Sequence, residues 1–195
     1  WLGGKKLWWD DVYVLEKDGE GKPGSAWFTS PNLDLPKPSA YGVAISTEKG
    51  LLCIGGCDAS RCHANVYRLQ WQPEERRLKI QQLPKLPRPL AFMAGARVGN
   101  VVYLAGGKEA MDGNSTINFW AMDLSKPDDK LKWEELSPWP GPPRVLPVAA
   151  AQNDDFFLFS GRTQKPGQPT ELLTDAYRYD PEKKTWTQLA DVSAG

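Results

Sequence analysis

Arg88 and Arg144 each follow a proline directly, in Pro87-Arg88 and Pro143-Arg144. A guanidinium presents a planar fork that grips a carboxylate through two parallel hydrogen bonds, so two such groups at equivalent places suit an anionic ligand. Other polar and ionisable residues gather in comparable short segments: Lys5 and Lys6; Asp58, Arg61 and His63; Lys108, Glu109, Asp112 and Asn114; and Arg162, Gln164, Lys165 and Glu171. Cations outnumber acids among them. Taken singly, each is equally a solvated loop charge, so a ligand reading rests on their convergence.

What would make them converge is a repeat. Leu51-Leu52-Cys53-Ile54-Gly55-Gly56 is echoed by Leu2-Gly3-Gly4, by Val102-Tyr103-Leu104-Ala105-Gly106-Gly107 and by Phe157-Leu158-Phe159-Ser160-Gly161, at steps of 52, 51 and 54 residues. A period near fifty, with a short apolar strand closing on a glycine pair, predicts four-stranded antiparallel blades of a kelch-type β-propeller. In such a meander the loop between the second and third strands and the connection to the next blade emerge at the same end. The polar segments above are those loops and connections, and would share one mouth.

The blades divide the chain as follows. Residues 1–38 are the end of one blade, with strands over 11–15 and 27–28 and a turn over 17–24; whole blades occupy 39–87, 88–143 and 144–195, all in one propeller domain. The predicted strands are 41–46, 51–54, 66–71 and 78–83; 91–98, 101–105, 118–124 and 131–136; and 145–152, 156–160, 176–180 and 185–189. Each run is short, rich in β-branched and aromatic residues, and bounded by Gly, Pro or charged turns. The pairs Ile80 and Leu83, Trp133 and Leu136, and Trp186 and Leu189 recur in the outer strands, which predicts that most of the nine tryptophans pack blade on blade.

Composition narrows the partners. With 24 basic and 24 acidic residues the chain has no net charge, which argues against nucleic acid, and no apolar run reaches the length of a membrane helix. The chain opens at Trp1 inside a blade and reads as a fragment of a larger ring, whose open blade edges would favour self-association. Cys53 reads as a small core hydrophobe. Cys57 and Cys62 share a loop and could join in an exported protein, and His63 beside them makes only an incomplete metal trio.

Two stretches carry a more specific likeness. Gly4-Lys5-Lys6-Leu7-Trp8-Trp9-Asp10-Asp11-Val12-Tyr13-Val14-Leu15, followed by Ser39-Ala40-Tyr41-Gly42-Val43-Ala44, resembles the kelch-type N-acetylneuraminate epimerases, or sialic acid mutarotases, and in particular their cyclically permuted relatives. The run from Ser160 to Gly167, with Thr174-Asp175-Ala176, is similar to the loop that carries an active-site Glu and Arg in that family. Here Arg162 stands where the family has Glu, Leu173 where it has Arg, and Ser39 replaces the Arg of the Arg-Ala-Tyr-Gly-Val stretch.

The resemblance implies a six-bladed ring, a small acidic sugar as substrate, no cofactor or metal, and a periplasmic or secreted location. Opening and reclosing a pyranose needs one group to take the anomeric proton and another to protonate the ring oxygen. Glu171 is the acid of the matching loop and the expected proton carrier, with Arg162 as its catalytic partner. Arg144, Arg88, Lys5, Lys6 and Tyr41 are the expected substrate-binding set. A kelch module that binds carbohydrate or protein without catalysis is the alternative, and would show an apolar mouth. A copper oxidase of the galactose-oxidase type, also built on kelch blades, needs more imidazoles than His63 alone.

Overall fold

The computed structural model describes Gly4 and residues 6–193, and within them the chain is all-β. Lys5 and the Leu2-Gly3 echo lie outside the described residues. A hairpin of β1 (Val14–Lys17) and β2 (Pro23–Phe28) comes first. Three four-stranded antiparallel sheets follow, two of them ordered as simple meanders: β3 (Val43–Thr47), β4 (Gly50–Ile54), β5 (Val66–Gln72), β6 (Arg77–Gln82); then β7 (Ala91–Val98), β8 (Val101–Lys108), β9 (Phe119–Asp123), β10 (Trp133–Glu135). The third consists of β11 (Val148–Gln152), β12 (Asp155–Phe159), β15 (Ala176–Asp180) and β16 (Thr185–Gln188), with a small hairpin, β13 (Arg162–Thr163) and β14 (Glu171–Leu172), standing out from its second loop. The innermost strand β7 packs against β3 on one side and β11 on the other, so the sheets stand side by side as blades. This is a partial β-propeller of the kelch type.

Side-chain alternation explains why β8 is apolar from Val101 to Gly107. Successive residues of a strand point to opposite faces, and the middle blade is covered on both. Val102 and Leu104, with Trp120 and Met122 of β9, meet Leu52, Ile54 and Val66 of the preceding blade. Their neighbours Tyr103, Ala105, Phe119 and Ala121 meet Phe156, Leu158, Tyr177 and Tyr179 of the following one. In β4 the alternation is visible because one face has fewer partners: Leu52 and Ile54 are buried, while Leu51 is 38% exposed.

Trp133 and Trp186, in the outer strands β10 and β16, each fasten their blade to the one before. Trp133 donates its indole N–H to Pro84 O at 3.1 Å, and Trp186 donates to Ser137 O at 3.0 Å. Trp186 also sits among Phe119, Phe156, Tyr179 and Trp139. Trp120 and Trp139 are fully buried and Trp71 meets Phe28 of the first hairpin, so most of the tryptophans pack between blades as expected, while Trp9 and Trp27 are 61% and 66% exposed.

Strand limits differ from expectation where backbone chemistry intervenes. In the first hairpin Asp18 Oδ1 accepts from the N–H groups of Glu20 and Lys22, which closes the turn early and leaves Pro23 and Gly24 in β2. Strand β11 starts at Val148 because Leu146 has φ 54° and Pro147 has no N–H to offer a ladder. The residues after Gly161, expected as a loop, pair as a hairpin instead.

Candidate functional site

The glycine pairs shape the mouth. Gly55 and Gly56 have φ 61° and 94°, Gly106 and Gly107 have 72° and 98°, and Ser160 and Gly161 have 55° and 98°. A side chain on the second member would strike the next segment, since a Cβ at Gly56, Gly107 or Gly161 would lie 2.8, 2.8 or 2.9 Å from the carbonyl oxygens of Ala40, Ala91 or Val145. The close approach orders the residue that follows each carbonyl. Tyr41, Phe92 and Leu146 are all left-handed, with φ 59°, 61° and 54°. They are also joined, because Phe92 N–H donates to Tyr41 O at 2.8 Å and Leu146 N–H donates to Phe92 O at 2.7 Å. Three bulky residues are held in a costly conformation at equivalent places, each worth about 1–3 kcal/mol of strain, and together they form the candidate rim.

Phe92 and Leu146 do not figure among the expected binding residues. They lie at the repeat step from Tyr41, and that spacing is the signal that would have found them.

On this rim Tyr41 stacks on Phe92 with centroids 4.4 Å apart, and Trp8 meets Tyr41 edge-on at 6.1 Å. Lys6 Nζ donates to the Tyr41 hydroxyl at 2.9 Å and lies 4.1 Å from the Trp8 ring centre. Lys108 Nζ, buried, donates to Met111 O at 2.5 Å and lies 4.8 Å from the Phe92 ring centre. Cation–π attraction holds both ammonium groups over the rings. The structure therefore brings Lys6, Tyr41, Phe92 and Lys108 together.

The arginines part company. Arg144 is wholly buried and its fork already holds a carboxylate: Nη1 donates to Asp175 Oδ1 at 2.9 Å and Nη2 to Asp175 Oδ2 at 2.7 Å. Nη1 also donates to Ser160 O at 2.9 Å, and the Tyr177 hydroxyl donates to Asp175 Oδ2 at 2.8 Å. Burial, followed by that bond to Asp175, pushes the Tyr177 hydroxyl up to about 12. The expectation that Arg144 offers its fork to a ligand gives way to an internal role, that of pinning the turn at Ser160 to the strand entrance.

Arg88 is shared among Glu109 at 2.8 Å, Glu135 at 3.0 Å and Asn118 at 2.9 Å, and lies above Trp120. It remains partly exposed but is already neutralised. Arg162 differs from both. Its backbone pairs with Val145, its side chain is half-buried, its Nε is buried with no hydrogen-bond partner, and it forms no ion pair among the described residues.

Among the mouth carboxylates, Asp58 sits 3.1 Å from His63, Glu109 holds Arg88 and Asp175 holds Arg144. Backbone and hydroxyl donation from Ser60 draws Asp58 well below the ordinary carboxylate range. Burial lowers the His63 imidazole despite the nearby carboxylate. Glu171 is exposed, opposite Thr163 in the small hairpin, and makes no ion pair among the described residues. Arg162 lies opposite Leu172, so strand alternation sets Arg162 and Glu171 on opposite faces of that ribbon. They do not pair across it.

Blades and rim together define a kelch-type propeller with unspent charge and stacked aromatic rings at one end. The sequence model of the family described as N-acetylneuraminate epimerase matches residues 83–194. The N-acetylneuraminate epimerase of Pasteurella multocida (strain Pm70) is 34% identical over 112 residues, covering 57% of this chain and 27% of the relative. Proteins of the same name from Haemophilus influenzae (strain PittEE) and Salmonella enteritidis PT4 are 33% identical over 109 residues, covering 56% of this chain, and 30% over 112 residues, covering 57%, each match spanning 27% of the relative. The chain belongs to the N-acetylneuraminate epimerase family. Its match spans about a quarter of the length of these relatives, and the family-model region holds Arg88, Arg144, Arg162 and Glu171 but not Lys5, Lys6 or Tyr41.

Proposed function

We propose that the protein interconverts the anomers of N-acetylneuraminate or a related acidic sugar at this mouth. The observation that carries the reading is Arg162, a half-buried guanidinium in the segment matched to the epimerase family whose Nε has no partner and which, unlike Arg68, Arg88 and Arg178, forms no ion pair among the described residues. A buried donor without a partner costs free energy unless a ligand supplies one, and a sugar carboxylate is suited to it. Lys6 and Lys108 add positive potential over the Tyr41 and Phe92 rings, against which the apolar face of a pyranose can rest.

The chemistry assigned to Glu171 is proton transfer. As a carboxylate without a competing cation it can take the anomeric hydroxyl proton while an acid or water protonates the ring oxygen. The open-chain keto form then recloses on either face. Arg162, on the opposite face of the ribbon from Glu171, is assigned to the sugar carboxylate and not to the anomeric oxygen.

A binding role without catalysis is favoured by a separate observation: Leu172 is 79% exposed beside Glu171, with Leu146 at 46% and Ile117 at 40%. One-dimensional proton NMR of freshly released α-N-acetylneuraminate separates the two. Full-length protein should speed equilibration over the uncatalysed blank, with Glu171→Gln losing about 10²-fold or more, as expected for a positioned acid–base group, and Arg162→Ala weakening sugar binding. A parent protein no faster than the blank would overturn the isomerase reading and leave the binding one.

A further inference from the structure

We propose that Cys57 and Cys62 are built to form a cross-strand disulfide that braces the mouth. The two are paired residues of a short antiparallel ribbon. Asp58 N–H donates to Arg61 O at 3.0 Å and His63 N–H donates to Gly56 O at 2.7 Å, the bonds flanking the cysteine pair on either side. That pattern makes Cys57 and Cys62 a non-hydrogen-bonded pair, in which the Cα atoms of antiparallel strands come within about 4.5 Å and the side chains project to the same face. A disulfide needs Cα atoms about 4.4–6.8 Å apart, so the backbone already meets its requirement. Both side chains are buried and both are thiols. Cys53, on β4 opposite Ala44 and Tyr67, has no such partner.

The intervening turn is preset. Asp58 Oδ1 accepts from Ser60 N–H, Ser60 Oγ–H and Arg61 N–H, which holds the two cysteine strands in register. The cysteine pair also packs with Ala91 beneath Trp8 and Phe92. Through its backbone Cys57 pairs with Ala40, next to Tyr41, while Leu90 O accepts from Gly56 N–H and Leu90 N–H donates to His63 O. A covalent link here would brace the β4–β5 loop on which the entrance of its own blade, at Ala40, and that of the next, at Leu90, are hydrogen-bonded, whatever the ligand of the mouth.

Burial pushes the Cys57 thiol up to about 11 and raises Cys62 as well, which disfavours the attacking thiolate in the folded protein. The bond therefore forms during folding, by exchange with an external low-molecular-weight disulfide. One cysteine thiolate attacks that disulfide and releases one external thiol. The second cysteine then attacks the mixed disulfide and releases the other. Two protein thiols lose two electrons and two protons, and one external disulfide becomes two thiols.

The test is to refold reduced full-length protein in a reduced and oxidised glutathione buffer, block remaining thiols with N-ethylmaleimide in denaturant, and digest with trypsin without reduction. Cleavage after Lys49, Arg61 and Arg68 leaves residues 50–61 and 62–68 as separate peptides, joined only if Cys62 is bridged. The joined pair is expected from the parent and from Cys53→Ala, and should vanish on reduction and in Cys57→Ser. Maleimide or glutathione on both cysteines in the parent, or a Cys53–Cys57 bridge within the first peptide, would overturn the proposal.

Discussion

Replacing Arg144 with methionine should damage the fold far more than a ligand-facing arginine would. The substitution removes two bonds to Asp175, one to Ser160 O and a longer one of 3.4 Å to Pro142 O, and leaves a carboxylate with 15% side-chain exposure without its cation. Breaking a buried pair in this way costs about 3–5 kcal/mol, because the remaining charge keeps its desolvation penalty and loses its compensation. Against a usual total of about 5–15 kcal/mol, that is a large share of stability. Urea unfolding of the full-length protein followed by circular dichroism would read it. Asp175→Asn in the same background should recover part of the loss, since the amide carries no charge and its oxygen can still accept from Tyr177, and the two changes together should cost less than their sum. An Arg144→Met protein within about 1 kcal/mol of the parent, with weakened sugar binding, would refute the internal assignment and return Arg144 to the ligand.

Other consequences are more local. Trp186→Ala should cost about 3–5 kcal/mol by opening the aromatic cluster between blades, whereas Trp186→Phe should lose less because it forfeits chiefly the bond to Ser137 O; thermal or urea denaturation checks the difference. Gly107→Ala should cost at least about 1–2 kcal/mol, since φ is 98° and the new Cβ would meet Ala91 O at 2.8 Å; an unchanged denaturation midpoint would contradict that geometry. Tyr103 and Tyr177 both have hydroxyls pushed up to about 12, chiefly by burial, so the folded state holds their protons more tightly than the unfolded chain. Their contribution is intact below about pH 10 and is lost as pH rises toward 12. Tyr177→Phe should flatten part of that alkaline decline in a pH series of unfolding curves.

The blades were legible because their signals are local. A glycine after an apolar strand is needed wherever the chain approaches the entrance segment, at Gly56, Gly107 and Gly161, and it recurs at the repeat step. The partners of the arginines were not legible in the same way. Arg88 and Arg144 share a position after proline, yet one meets Glu109 and Glu135 and the other meets Asp175, and nothing in the spacing tells these apart. Lys6 with Tyr41 could be associated through the resemblance, whereas Phe92 is not marked by its residue type and is found only by its repeat-step spacing from Tyr41. The small hairpin was hidden too, since its strands are two residues each and alternation needs more length to declare itself.

The bonds from Phe92 to Tyr41 and from Leu146 to Phe92 all run one way, with the later residue donating to the carbonyl of the earlier. Such a chain has a polarity, one end presenting an amide and the other a carbonyl. It can be prolonged only by units added in the same sense, an inherently heterologous contact in which the joining surfaces are unlike. A twofold pair would bring amide against amide or carbonyl against carbonyl at this position. Rotational repetition about one axis continues the pattern, and mirror-like or back-to-back pairing terminates it.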